Sequence, residues 1–375
     1  MGKIFTSLGL MSGTSGDGVD ASLISSDGLN KYRVIFNKYF KFDQKIYENI
    51  HILKDKITKF EDLKKYNSET NELEREITLF HSKVVSAIIS STNEKIDLIG
   101  FHGQTIYHNS SKKISIQIGD ARLLSQLTQQ VIINDFRKND IQNGGEGAPL
   151  TPIFHNQIVK QKNIKFPVCI LNIGGISNVS AIRSLEINSL TSRDLGPGNC
   201  LIDEWIRKNT KKKFDKNGEI AKVGIVDKLI LNQALDNFEN SFVKKRLSFD
   251  TRDFSLGFVR GLNLEDGTAT LTNYTGKVII TNLLNFLSEC KEKNWKILIC
   301  GGGRKNKTLI ESMEKEILKN FSIQLIDDYG VDGDYVESQA FAYIAIRSFL
   351  NLPITFPGTT GCKKPCSGGI ITKNF

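Results

Sequence analysis

The sequence predicts a two-domain α/β protein in which mixed sheets are flanked by helices. Three observations predict it. An apolar run at 8–11 enters a turn at 13–18 and leaves through a second apolar run. The same order of strand, glycine turn and strand returns at 166–179, and a third strand, 296–300, runs straight into Gly301-Gly302-Gly303 and a helix. A length of 375 residues suits two domains, and 39% hydrophobic with 24% charged residues is the balance of a globular chain.

The first turn holds Gly13, Gly16 and Gly18, the hydroxyls of Thr14 and Ser15 and the carboxylate of Asp17. Glycine reaches positive φ and leaves no side chain between an amide and its ligand, so the turn suits an anion such as phosphate. Ser12, Thr14 and Ser15 add donors, and Asp17 or Asp20 would face a magnesium ion. The spacing is that of neither a P-loop nor a Rossmann turn, and taken alone the stretch reads as a plain hairpin.

Residues 32–36 and 39–42 predict two further strands. Over 44–90 apolar residues recur at helical spacing, with Leu73, Ile77, Phe80, Val84 and Ile88 on one stripe, which predicts one or two helices against a sheet. A strand from 96 is expected to end in the turn His102-Gly103-Gln104-Thr105, at a sheet rim where α/β proteins bind ligands. Strands at 114–118 and 131–136 flank a short helix at 121–129, and the glycine-rich 143–149 reads as a hinge leading to a helix through Phe154 and Ile158. The boundaries follow from that hinge: 1–140 with 352–375 as one domain, 141–351 as the other.

In the second half, Asp194 and Gly196-Pro197-Gly198-Asn199 precede a helix at 200–206, so a carboxylate stands ahead of a glycine turn at a helix N-terminus. Helices are expected at 226–240, 269–291, 308–318 and 340–350.

The formal charge of +9 comes from 50 basic and 41 acidic side chains. Its short runs, Lys211-Lys212-Lys213 and Lys244-Lys245-Arg246, carry no nucleic-acid motif and read as solvated faces. Six dispersed cysteines form no disulfide framework and suit a reducing cytoplasm. Cys362 and Cys366 lie close together, but five histidines and no second cysteine pair argue against zinc. No apolar run is long enough for a bilayer, so neither a membrane nor a nucleic acid is expected as a partner.

The three turns together say more than any one. Two hairpins facing across an interdomain active-site cleft would clamp the phosphates of ATP while the third turn holds the nucleoside. That is the actin-like, hexokinase-like and Hsp70-like ATPase plan, with an RNase-H-like core in each domain. It assigns Gly13, Thr14, Ser15, Gly16, Asp17, Gly18, Val19 and Asp20 to the nucleotide, with Asn172, Gly174, Gly175, Ser177 and Asn178 opposite. Gly196, Gly198, Asn199 and Gly301, Gly302, Gly303 complete the set.

A closer likeness rests on ordered blocks: Gly9 to Ser15 with Asp17-Gly18-Val19-Asp20, His102-Gly103-Gln104-Thr105, Gln117 to Asp120, Asp135-Phe136-Arg137, Gly147 to Leu150, Asn172 to Asn178, Asp194 with Gly196-Pro197-Gly198-Asn199, and Cys300-Gly301-Gly302-Gly303. They resemble the signature blocks of the anhydro-N-acetylmuramic acid kinases over nearly the whole chain. The resemblance implies a bacterial kinase of cell-wall recycling, using ATP and Mg2+, with related kinases suggesting a homodimer. It opens the internal ether of 1,6-anhydro-N-acetylmuramic acid with water and phosphorylates the freed O6. It makes Asp194 the base and places His102, Arg137 and Glu337 at the sugar. Gly16 stands where the family usually has Leu or Met, Leu195 where it has Thr, Asn134 where it has a small residue and Leu247 where it has Lys. Gly16 is therefore expected to loosen the first turn, and Leu195 to remove a hydroxyl beside the base. Two rivals stay open: a sugar and nucleotide sensor without turnover, and a kinase for a different sugar.

Overall fold

Each half of the chain opens with an antiparallel hairpin that seeds a sheet, and the two sheets repeat one strand order. The computed structural model describes residues 2–240 and 247–375, so Lys244-Lys245-Arg246 lies outside the described residues. The chain divides into two compact units, Met1–Ile164 with Tyr335–Phe375, and Lys165–Asp334.

In the first unit β1 (Phe5–Ser12), β2 (Gly18–Ser26) and β3 (Tyr32–Lys41) form an antiparallel meander. β3 is continuous where two strands were expected: Asn37 and Lys38, at the break in pattern, pair in register with Ser22 and Ala21, and the one bulge lies at Ile35, opposite Leu23 and Ile24. Three helices follow, α1 (Gln44–Lys56), α2 (Asp62–Lys65) and α3 (Asn67–Ser91). The Asp43 carboxylate caps α1 by accepting from the Ile46 amide at 2.9 Å. Ile46, Ile50 and Leu53 of α1 and the α3 stripe of Leu73, Ile77, Val84 and Ile88 bury against Leu8, Leu10 and Val19. The predicted amphipathic period is thus the one that covers the sheet.

β4 (Leu98–Asn109) and β6 (Ile132–Asn134) extend the sheet in parallel from β1, with β5 (Ile114–Ile118) returning along the second half of β4. β4 does not stop at His102. It runs on through Gly103, whose φ of +74° and approach to the Ile118 carbonyl, 2.5 Å from where a Cβ would stand, make a bulge inside the strand. α4 (Ala121–Thr128), α5 (Lys138–Gln142) and α6 (Pro152–Gln161) complete this stretch.

The second unit has β7 (Val168–Ile173), β8 (Ile176–Ile182) and β9 (Leu190–Pro197) antiparallel, then α7 (Cys200–Asn209), α8 (Glu219–Val223), α9 (Lys228–Glu239) and α10 (Leu264–Ser288). β10 (Lys296–Cys300) lies parallel to β7, followed by α11 (Lys307–Glu316) and β11 (Ser322–Leu325), parallel to β10. Its order, β11-β10-β7-β8-β9, matches β6-β4-β1-β2-β3 of the first sheet in both sequence and direction. This is the predicted RNase-H-like repeat. Cys169, Leu171, Ile173, Val179, Ala181 and Leu195 form its core with Ile279, Leu283 and Phe286 of α10.

The chain then returns to the first unit with α12 (Val336–Phe349), α13 (Pro357–Thr360) and β12 (Ile370–Thr372), which pairs with β6. Leu8 and Leu10 face α1 and α3, so Gly9 faces the opposite side by strand alternation. A Cβ on Gly9 would stand 1.9 Å from the Ser338 carbonyl oxygen, and one on Gly100 would stand 2.3 Å from that of Phe341, so α12 rests directly on the backbones of β1 and β4. α6 is tied to the same unit: the Tyr32 amide donates to Gln161 Oε1 at 2.9 Å, and Gln157 Nε2 donates to the Asn30 carbonyl at 2.8 Å. The units therefore divide at 164/165 and 334/335, whereas the hinge-like 143–149 had suggested 140/141 and 351/352. That glycine segment is fastened within the first unit: the Gly147 amide donates to Asp140 Oδ2 at 2.8 Å, and Thr360 Oγ1 donates to Asp140 Oδ1 at 2.6 Å.

Candidate active site

Within the first unit, the turn between β1 and β2 is held from several sides. The Gly16 amide donates to the Gly13 carbonyl at 3.1 Å, closing a four-residue turn. Gly16 has φ +60°, and a Cβ there would stand 2.8 Å from Ile50 Cγ2. The residue expected to loosen the turn is the one its backbone requires. Ser12 Oγ donates to Gln104 Oε1 at 2.6 Å and Gln104 Nε2 donates to the Gly13 carbonyl at 3.1 Å, so two separated sequence blocks meet at the tip. Asp17 accepts from Ser15 Oγ and, at 3.1 Å, from the Tyr39 hydroxyl. Burial, then the Asp17 and Asp20 carboxylates, push the Tyr39 phenol well above its ordinary value. Thr14 and Ser15 are exposed, Gly18 is packed against the Phe40 carbonyl, Asp20 is half-buried on β2, and Val19 points into the core.

His102 and Arg137 are brought together. His102 Nδ1 lies 2.9 Å from the Gly103 carbonyl, which can only accept, and Arg137 Nη2 lies 3.0 Å from His102 Nε2. The ring is therefore neutral, with the hydrogen on Nδ1. Burial, reinforced by the Arg137 charge, lowers the His102 pKa to about 3. Arg137 Nη1 also donates to the Gly147 carbonyl at 3.1 Å, joining a third block to the pair. Glu337 is half-buried in the first turn of α12. Asn134 accepts from Thr372 Oγ1 at 3.3 Å, a contact that secures β12.

In the second unit the β7–β8 hairpin and the N-terminus of α7 interlock. The Gly198 and Cys200 amides donate to the Gly175 carbonyl at 2.9 and 3.1 Å, and the Asn199 amide donates to the Gly174 carbonyl at 2.8 Å. These three amides are engaged by the carbonyls of the second hairpin. Ser177 is committed too, donating to the Gly196 carbonyl at 3.0 Å. A Cβ on Gly198 would stand 2.2 Å from the Gly174 oxygen, which explains that glycine.

Across the sheet, Asn172 pairs with Cys300 on one side and with Asn178 on the other, and Asn178 pairs with Asp194. Strand alternation sets this row on the face opposite the apolar core. Asp194 is 7% exposed, and its Oδ2 accepts from the Phe249 amide at 2.8 Å, while its own amide donates to the Leu247 carbonyl at 2.8 Å. Leu247, which stands where the family usually has Lys, thus meets Asp194 through its backbone, as does Phe249. Leu195 is fully buried in the core, so its side chain points away from the Asp194 carboxylate, and a hydroxyl at 195 would not lie beside the base.

The third turn has Gly301 at φ +81°, with its amide donating to the Gly333 carbonyl at 2.9 Å. Cβ atoms on Gly301 and Gly303 would stand 2.3 Å from Asn172 Oδ1 and 2.2 Å from Ile173 Cγ2, whereas one on Gly302 meets nothing within 4 Å. Gly302 is the open side of the turn. Beneath it lies a cluster the sequence reading missed. Arg304 donates through Nε and Nη2 to Asp327 at 2.8 and 3.0 Å, and through Nη1 to Asp334 at 2.6 Å and to the Gly301 carbonyl at 3.1 Å. Burial raises both carboxylates, but hydrogen bonds from Arg304 outweigh it and hold them below the ordinary range. The recoverable signal was an arginine just after a glycine turn, with aspartates at 327, 332 and 334.

The ordered blocks lie in both units, and the likeness extends between them. The family model described as anhydro-N-acetylmuramic acid kinase matches residues 5–374. The chain belongs to the anhydro-N-acetylmuramic acid kinase family. It is 52% identical over 375 residues to the anhydro-N-acetylmuramic acid kinase of Pelagibacter ubique, covering 100% of both chains. Identity to that of Agrobacterium fabrum is 35% over 387 residues, again covering 100% of both, and to that of Zymomonas mobilis 36% over 369 residues, covering 97% of this chain and 98% of the relative. Membership in this kinase family spans both units, so both hairpins and the third glycine turn fall inside the match. Among the described residues no helix is long and apolar enough to cross a membrane, and no group of three or more His, Cys, Asp or Glu is placed to hold a metal ion.

Proposed function

We propose that this chain is an ATP-dependent kinase that opens 1,6-anhydro-N-acetylmuramic acid with water and phosphorylates the freed O6, giving N-acetylmuramic acid 6-phosphate and ADP. The observation that carries the reading is the full-length family match, with Asp194 in register beside Asn178 and Asn172 at the mouth of a glycine hairpin. Asp194 takes a proton from water as its oxygen bonds to the anomeric carbon. The bond from that carbon to O6 breaks, and O6 takes the γ-phosphoryl group as ADP departs. The hydrogen bond from the Phe249 amide to Oδ2 holds the Asp194 carboxylate in one orientation.

The nucleotide is assigned to the turns around Gly13 to Asp20, Asn172 to Asn178, Gly196 to Asn199 and Gly301 to Gly303. Fit to a phosphate is supported at the first turn by exposed backbone and at the third by the open side of Gly302. Magnesium would ride on the phosphates, near Asp17 or Asp20, and neutralise charge during transfer. Arg137 would pair with the lactyl carboxylate of the sugar and Glu337 would accept from its hydroxyls, with His102 beside them. A homodimer and a cytoplasmic location complete the proposal by family resemblance.

Replacing Asp194 by Asn tests the assignment. Turnover is expected to disappear while nucleotide binding stays measurable, and an active variant would remove Asp194 as base. A sensor would show binding without product in the parent protein as well.

A further inference from the structure

The side of α1 that faces the first turn presents Ile50, His51 and Lys54. Lys54 Nζ donates to the Thr14 carbonyl at 2.7 Å, and His51 Nε2 lies 3.0 Å from the Ser15 carbonyl and donates to it. Two consecutive carbonyls of the tip are thus drawn to one helix. In a trans peptide the C=O and the following N–H point in opposite directions. With its carbonyl drawn to Lys54, the peptide joining Thr14 to Ser15 must turn the Ser15 amide away from α1. The Gly13 carbonyl is drawn inward by the Gly16 amide and by Gln104 Nε2, which turns the Thr14 amide outward. Among the described residues neither the Thr14 nor the Ser15 amide has a hydrogen-bond partner, and both residues are exposed. Adjacent outward amides in a glycine turn form a nest for an anion.

We infer that His51 and Lys54 are positioning residues: by holding the Thr14 and Ser15 carbonyls they aim the turn's amides at the phosphates of the bound nucleotide. This rests on the reading of the first turn as a phosphate site. Neither side chain need touch the nucleotide. Ile50 supports them from below, filling the space that a side chain at Gly16 would need.

The test uses the full-length protein with His51→Phe, Lys54→Met and the double substitution. His51→Phe keeps the ring beside Tyr47, 4.5 Å between centroids, and removes only the donor. The double variant is expected to raise KM for ATP about tenfold, the scale of one or two charge-assisted hydrogen bonds. KM for the sugar and affinity for adenosine, which has no phosphate, should stay within about twofold. Lys54→Arg, which still donates, should recover most of the loss. Unchanged KM for ATP in the double variant overturns the inference, as does an equal loss for adenosine. A loss confined to Lys54→Met that vanishes in about 1 M salt also overturns it, since that would be charge attraction alone. Thr14→Pro separates the inference from the reading beneath it. Proline suits the second position of this turn and deletes the Thr14 amide. If Thr14→Pro folds and leaves ATP affinity intact, the phosphate reading itself fails; if it weakens ATP while the double variant does not, only the positioning role fails.

Discussion

His102 accepts a hydrogen bond from Arg137 at 3.0 Å while giving its own ring hydrogen to the Gly103 carbonyl. Both ring nitrogens are engaged inside the first unit, so in the proposed sugar site His102 would act by orienting Arg137. His102→Phe keeps the ring that packs on Phe341, 4.6 Å between centroids, and deletes the acceptor. It is expected to raise KM for the anhydrosugar several-fold and to leave KM for ATP unmoved, which steady-state kinetics with each substrate varied in turn will show.

Three buried histidines give the fold an acid-side weakness. Burial lowers His81 to about 4, and His102 and His155 to about 3, from 6.5 in an unfolded chain. Below pH 6.5 the unfolded state takes up protons that the native state refuses, so stability is full above that pH and is lost on acidification. Three such groups cost together about 4 kcal/mol between pH 7.5 and 5.5. Urea titrations across that range should show the midpoint falling steadily. A flat profile would mean the rings are charged in the native protein.

Gly16→Leu, which installs the residue usual in the family at this position, should harm this protein. The backbone there is left-handed and Ile50 occupies the side-chain space, so a cost of about 1–3 kcal/mol is expected. Thermal unfolding should drop by several degrees, and KM for ATP should rise with it.

Leu195→Thr should not speed the reaction. The side chain at 195 faces the core, so the change leaves a void and buries a hydroxyl, costing about 2–4 kcal/mol, with kcat unchanged within about twofold. A clear gain in kcat would show that 195 communicates with the base.

The helices and most strands were legible because their apolar period matched the face they bury. The α3 stripe and the continuous run at 296–300 are instances. The glycine turns were legible as turns, and their order along the chain carried the family. Contacts made by backbone were not legible. Nothing in the sequence marks the Phe249 amide that meets Asp194, or the return of α12 to rest on Gly9 and Gly100, since both depend on residues far apart in the chain. His51 and Lys54 look like any polar face of a surface helix until the turn they hold is in view. The strand through His102 was misplaced because a glycine inside a strand pattern reads as a stop, whereas here it is a bulge.

In the proposed reaction, water attack at the anomeric carbon and phosphorylation at O6 belong to one turnover. Supplying ATP, magnesium and 1,6-anhydro-N-acetylmuramic acid in oxygen-18 water and weighing the product and its fragments reveals whether the two steps are coupled. One heavy oxygen is expected, at the anomeric hydroxyl, in a sugar that carries a 6-phosphate. A phosphorylated sugar that keeps its anhydro bridge, or no product from the active-site-intact protein, would contradict it.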